Sequence, residues 1–92
     1  MKVASMKGKN GRAIPNQFII KDEGNDGTVD IIYFQSYESI IVKITSSETL
    51  LDETYWNYSK TTAKYRNQFL GETTKETEKL IKDGVYKLVN LN

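Results

Sequence analysis

Neither cysteine nor histidine occurs in the 92 residues of this chain. The first absence excludes disulfides, thiolate nucleophiles and Cys-ligated zinc. The second removes the commonest general base and the commonest transition-metal ligand, so no Ser-His-Asp or Cys-His arrangement can form. Net charge is nearly absent too: 13 Lys+Arg stand against 12 Asp+Glu, leaving +1 and no bulk field to advertise a partner. No apolar run approaches the ~20 residues that a membrane helix requires. Lys2 is followed by no apolar stretch of the kind that marks a secretory signal. Gly8 and Gly11 sit in a Lys-rich stretch with no strand expected before them, so they do not read as a phosphate-cradling loop. These absences point to a non-enzymatic cytoplasmic protein with no cofactor, no resident metal and no membrane or small-molecule partner.

What is present is enough for one small domain. Ten aromatics and a middle rich in β-branched residues can bury a core. Residues 1–12 read as a flexible basic arm, and 13–92 as a single α+β domain. Gln17–Lys21, with Phe18, Ile19 and Ile20, has strand character, and the Gly24-Asn25-Asp26-Gly27 run suits a hairpin loop. Thr28–Gln35 alternates, with Val29, Ile31 and Tyr33 on one face and Ile32 and Phe34 on the other. After the short turn Ser36-Tyr37-Glu38-Ser39, residues Ile40–Thr45 form a third strand with Ile40, Val42 and Ile44 on one side. Ser46–Thr49 reads as a loop, or alternatively a bulged strand end, leading to Leu50 and Leu51, and Asp52 as the cap of a turn carrying Tyr55 and Trp56.

Two helices follow. Ser59 is a suitable N-cap for a helix that runs to Leu70 and stops at Gly71. Tyr58, Thr62, Tyr65 and Phe69 share one stripe of its wheel, with Lys60, Lys64 and Asn67 opposite. Thr73 and Glu76 have capping-box spacing for a second helix that ends before Gly84, and Val85–Leu91 closes the chain as a strand. The expected order is β-β-β-α-α-β: a small antiparallel sheet with two helices packed on one face.

The charges are segregated. Residues 1–12 carry four cations and no acid, residues 59–70 carry three cations and no acid, and residues 13–58 have a net charge of −6. Local rather than total charge governs contact with phosphates. The candidate nucleic-acid contacts are therefore Lys7, Lys9 and Arg12 on the arm, with Ser59, Lys60, Thr61, Lys64, Arg66 and Asn67 on the first helix. A different surface would serve a protein partner: Asp22, Glu23, Asp26, Asp30 and Glu38 with the aromatic rings of Tyr37 and Trp56. Asp22, Glu23 and Asp26 lack the full ligand spacing of a calcium loop. The Asp52-Glu53 pair is more economically explained by capping than by catalysis.

Three strings have a familiar look: Asn10-Gly11-Arg12-x-Ile14-Pro15-Asn16-Gln17-Phe18, Phe34-Gln35-Ser36-Tyr37, and Leu51-Asp52-x4-Asn57-Tyr58-Ser59-x-Thr61-Thr62-x-Lys64-Tyr65-Arg66-Asn67-x-Phe69-Leu70. The chain resembles a family of small uncharacterised proteins carried by bacteriophages and plasmids of Gram-positive bacteria. The resemblance implies a mobile-element protein at work in the host bacterial cytoplasm, and carries no established activity with it. The resulting expectation is an accessory protein that binds nucleic acid or a nucleic-acid-handling host complex. The alternative is a counter-defence inhibitor of the anti-CRISPR kind, docking on a host defence protein through the acidic surface.

Overall fold

A computed structural model describes residues 1–24 and 29–92 of the chain. Eight elements follow in the order β1 (Lys2–Lys7), β2 (Ala13–Glu23), β3 (Val29–Ser36), β4 (Ser39–Ile44), β5 (Thr49–Asp52), α1 (Lys60–Leu70), α2 (Thr74–Lys82) and β6 (Tyr86–Val89). All six strands belong to one sheet, ordered β1-β2-β3-β4-β5-β6. The first five form an antiparallel meander, and β6 lies parallel to β5. A parallel neighbour needs a crossover connection, and here both helices supply it.

This corrects the expected topology: five strands, not three, precede the helices, and the sheet is mixed rather than antiparallel. The first extra strand, β1, lies within the stretch read as a flexible arm. Its residues are mostly exposed, as suits an edge strand, but Met6 is buried and Lys2–Ser5 pair with Lys21–Phe18. The loop beyond it is held by Gly8 N–H to Arg12 O at 2.9 Å and Gly11 N–H to Gly8 O at 3.0 Å. The second extra strand, β5, begins at Thr49, the last residue of the expected loop, and takes in Leu50, Leu51 and Asp52; four residues show too little alternation to stand out. Its Leu51 is fully buried between β4 and β6. The Asn25-Asp26-Gly27 loop lies outside the described residues.

The core is a cross-strand row. Ile19, Phe34, Val42 and Leu51 are register partners on successive strands and point to the same face. The register shifts between Phe34 and Gln35, which pair with Val42 and Ile40 respectively. This bulge turns both Ile41 and Val42 into the core, at 1% and 0% exposure, so strict alternation through Ile40, Val42 and Ile44 does not hold. Both helices cover this face. Phe69 stacks on Phe34 with ring centroids 5.5 Å apart, and Ile81 packs against the same cluster. On the opposite face Phe18, Ile20, Ile31, Tyr33, Ile40 and Leu50 are half-buried and lie outside the core cluster.

The helix ends form where their capping residues stand. Ser59 Oγ accepts from Thr62 N–H at 3.1 Å, and Gly71 takes the left-handed conformation (φ 70°) with its N–H on Asn67 O. Thr73 and Glu76 make a complete capping box at the start of α2. Thr62, Tyr65 and Phe69 face inward as the wheel requires. Tyr58, which precedes the N-cap, does not follow them and is 70% exposed.

Candidate functional site

The sequence assigned nine residues to a nucleic-acid surface, and the fold divides them. Lys7 ends β1, while Lys9 and Arg12 stand in the β1–β2 loop, all three exposed. This hairpin lies against α1, where Gln68 Nε2 donates to Lys7 O at 3.0 Å. Lys60, Lys64 and Gln68 follow at four-residue intervals and so share one face of α1. At 1.5 Å per residue that line is about 12 Å long, running from the helix N-terminus to the hairpin. Lys60 and Lys64 are exposed, and Lys64 Nζ sits 5.2 Å from the Tyr65 ring centroid. Ser59 and Thr61 lie at the start of the same helix, also exposed.

Arg66 and Asn67 do not belong to that surface. Arg66 is fully buried, and its guanidinium donates to Trp56 O, to Asn57 Oδ1 at 3.2 Å, to Asn67 Oδ1 at 2.9 Å and to Thr74 Oγ1 at 2.7 Å. Its centre lies 5.1 Å from the Trp56 ring. Asn67 completes the network through Nδ2 to Thr74 Oγ1. The arginine thus ties the turn after β5 to both helices. Burial pulls its pKa below the ordinary value while Glu72 and Glu78 pull it back, and a guanidinium stays charged throughout. A buried cation four residues from Thr62 satisfies the same helical period as an apolar side chain. Charge alone misread it as solvent-facing.

The acidic set expected to meet a protein partner is not gathered into one patch. Asp22 and Asp30 stand where β2 ends and β3 begins, whereas Glu38 occupies the β3–β4 turn at the far end of β3. Glu23 is paired with Lys2 at 3.1 Å, and Asp26 falls outside the described residues. Trp56, assigned with Tyr37 to the partner surface, is half-buried against Arg66. Asp52 caps its turn as anticipated: Oδ2 accepts from Thr54 N–H at 3.0 Å and Tyr55 N–H at 2.8 Å, while Oδ1 accepts from Leu91 N–H at 2.8 Å.

A second site emerges at the N-terminal end of α1. A cavity of about 470 Å³ is lined by Asn16, Ser36, Tyr37, Glu38, Ser39, Ile41, Tyr55, Tyr58, Ser59 and Thr62. Three tyrosines surround hydroxyl and amide groups, and Glu38 is the single charged side chain among them. Tyr55 and Tyr58 meet edge to face at 5.3 Å. Two lining residues, Asn16 (φ 64°) and Tyr37 (φ 56°), are the positive-φ residues other than glycine among those described.

Tyr37 is the more informative of the two. It is the first central residue of the two-residue β3–β4 loop, a place that glycine ordinarily fills because a Cβ is strained there. The strain is held from both sides, by Tyr37 N–H to Asn16 O at 2.7 Å and by Gln35 Nε2 to Tyr37 O at 2.7 Å. A left-handed bulky residue costs about 1–3 kcal/mol and tends to persist where it has a use. The sequence points to Tyr37 as a partner-facing aromatic, but does not gather Asn16, Ser36, Ser39, Tyr55 and Tyr58 with it. A signal was available. A two-residue hairpin turn with a tyrosine in place of glycine or asparagine breaks the local rule.

Comparison with known proteins places residues 1–84 within one family model, covering nearly the whole chain. The chain belongs to DUF8033, a family of unknown function. No curated protein and no solved structure matches it. Among the described residues no helix is long and apolar enough to cross a membrane.

Proposed function

We propose that this DUF8033 member is a non-enzymatic accessory protein of a phage or plasmid, acting in the bacterial cytoplasm, that binds nucleic acid through α1 and the β1–β2 hairpin. The observation that carries the reading is the hydrogen bond from Gln68 to Lys7 O, which sets two acid-free basic stretches side by side. Lys7, Lys9, Arg12, Lys60 and Lys64 are exposed, and none takes part in either ion pair found among the described residues. Cations left free of internal carboxylates are the groups that displace counterions from a phosphate backbone. Arg66 and Asn67 hold the helices together and are not contacts in this reading.

The test is an anisotropy titration of labelled DNA at low and at moderate salt, with the double variants Lys60→Ala/Lys64→Ala and Lys7→Ala/Lys9→Ala beside the wild type. Binding at low salt that weakens in both variants supports the proposal. No binding at low salt, or wild-type affinity in both variants, rejects it.

A further inference from the structure

We infer that the tyrosine-lined cavity at the start of α1 holds an unpaired nucleotide, so that the nucleic acid this protein takes is single-stranded. The inference rests on the cationic surface being a nucleic-acid surface and adds what that surface alone does not specify. Sites for single strands combine a positively charged track for the backbone with aromatic rings on which bases stack. Both are present here in continuity. Lys60 directly follows the cavity-lining Ser59, and the line Lys60–Lys64–Gln68 leads on to Lys7 at the hairpin.

The lining suits a nucleotide. Tyr37 and Tyr58 line the cavity and are 52% and 70% exposed overall, so both rings are accessible to a flat π-system. Asn16, Ser36, Ser39, Ser59 and Thr62 supply the donors and acceptors that a base edge or sugar uses. Ser59 Oγ and Thr62 N–H already serve the helix cap, and Ser36 Oγ and Thr62 Oγ1 already bond each other at 3.1 Å. Besides the tyrosine hydroxyls, that leaves Asn16, Ser39 and the Glu38 carboxylate, an acceptor suited to a base amino group, as the side chains in the lining best placed to read the ligand. The volume falls in the range of small-ligand pockets. A paired base inside a duplex cannot enter such a pocket without leaving its stack.

The strain at Tyr37 provides a test that a merely structural ring would fail. Glycine accepts φ 56° without steric strain, a relief that offsets the entropy it adds to the unfolded chain, so Tyr37→Gly relaxes the backbone while removing the ring. Tyr58→Ser removes a second, largely exposed ring and reports independently of the first. Binding is read by anisotropy with a labelled oligothymidylate of about twelve nucleotides, a length within the usual single-strand site sizes, and with a hairpin duplex of similar length. Wild type is expected to bind the single strand about tenfold or more tightly than the duplex. Tyr37→Gly is expected to melt at or above the wild-type temperature yet lose about fivefold or more in single-strand affinity, and Tyr58→Ser to lose affinity likewise. Thymidine monophosphate at equal nucleotide concentration should not displace the strand, since it cannot reach Lys64 or the hairpin.

Equal affinity for both probes, full single-strand affinity in both tyrosine variants, or complete displacement by the mononucleotide would overturn the assignment. If the lysine variants still lose binding in that case, the cationic surface stands and only the pocket is rejected. If neither probe binds at low salt, both readings fail together.

Discussion

Replacing Arg66 with alanine removes a fully buried guanidinium from four acceptors on three parts of the chain: the turn after β5, α1 itself and the start of α2. Hydrogen bonds to a charged donor each contribute about 1.5–3 kcal/mol, although the four share one group and do not add. The contact with the Trp56 face adds about 0.5–2 kcal/mol. Truncation also leaves a cavity under two helices. Together these place the loss at about 3–5 kcal/mol, in the upper tail of single substitutions, because several buried acceptors lose their donor at once and a cavity is left. For a domain of this size each kcal/mol shifts Tm by about 4–8 °C, so Arg66→Ala should lower it by at least about 12 °C. Urea unfolding followed by fluorescence of Trp56, the single tryptophan, reads the same loss at the affected site. Lys64→Ala, on the exposed side of the same helix, should stay within about 0.5 kcal/mol of wild type. An Arg66→Ala protein with wild-type stability and abolished DNA binding would refute this account and return Arg66 to the contact surface.

The exposed cations and the buried polar groups also set measurable responses to salt, pH and substitution. With five cations on the proposed surface, log affinity for a single strand should fall against log salt with a slope no steeper than about −3.5, measurable by titration at several ionic strengths. Burial pushes the Asp52 pKa up, but hydrogen bonds from the Leu91 and Tyr55 N–H groups, the Asn92 side chain and Thr54 N–H bring it below the ordinary value. A lowered folded pKa contributes stability that is present above about pH 4 and lost as pH falls, so Asp52→Asn should be destabilised at neutral pH, with the gap closing in acid melts. Burial and the Glu72 hydrogen bond push the Tyr86 hydroxyl up to about 12. Its stabilising effect is therefore present below about pH 10 and lost as pH rises toward 12, a loss that Tyr86→Phe should not show in alkaline melts. Gln17 is 1% exposed with neither side-chain amide atom hydrogen-bonded, so Gln17→Met should be at least as stable as wild type by thermal denaturation.

The legible parts of the fold were those written by local rules. Both helices began and ended where Ser59, Gly71 and the Thr73–Glu76 pair put them, because caps act within one turn of chain. Phe34 was assigned to the opposite face from Tyr33 by alternation, and the sheet obeys it. What failed were elements whose strand character depends on neighbours. β1 carries little apolar pattern of its own and is a strand because β2 offers an edge, and four-residue β5 is a strand because it lies between β4 and β6. The Phe34–Gln35 register shift likewise depends on pairing, and it overrode a correct-looking alternation in β4.

By itself the amino-acid order determined the excluded chemistries, the two capped helices, the alternating β3 and the segregation of charge, since each follows from residue identity or from spacing of a few positions. Only the tertiary structure decided which charges face solvent. It buried Arg66 beneath Trp56, set Lys7 against Gln68, and drew Asn16, Tyr37 and Tyr58 from three distant segments around one cavity. Those outcomes depend on contacts between residues far apart in the chain, and a helical wheel cannot tell a cation that caps its neighbours' carbonyls from one that reaches into water.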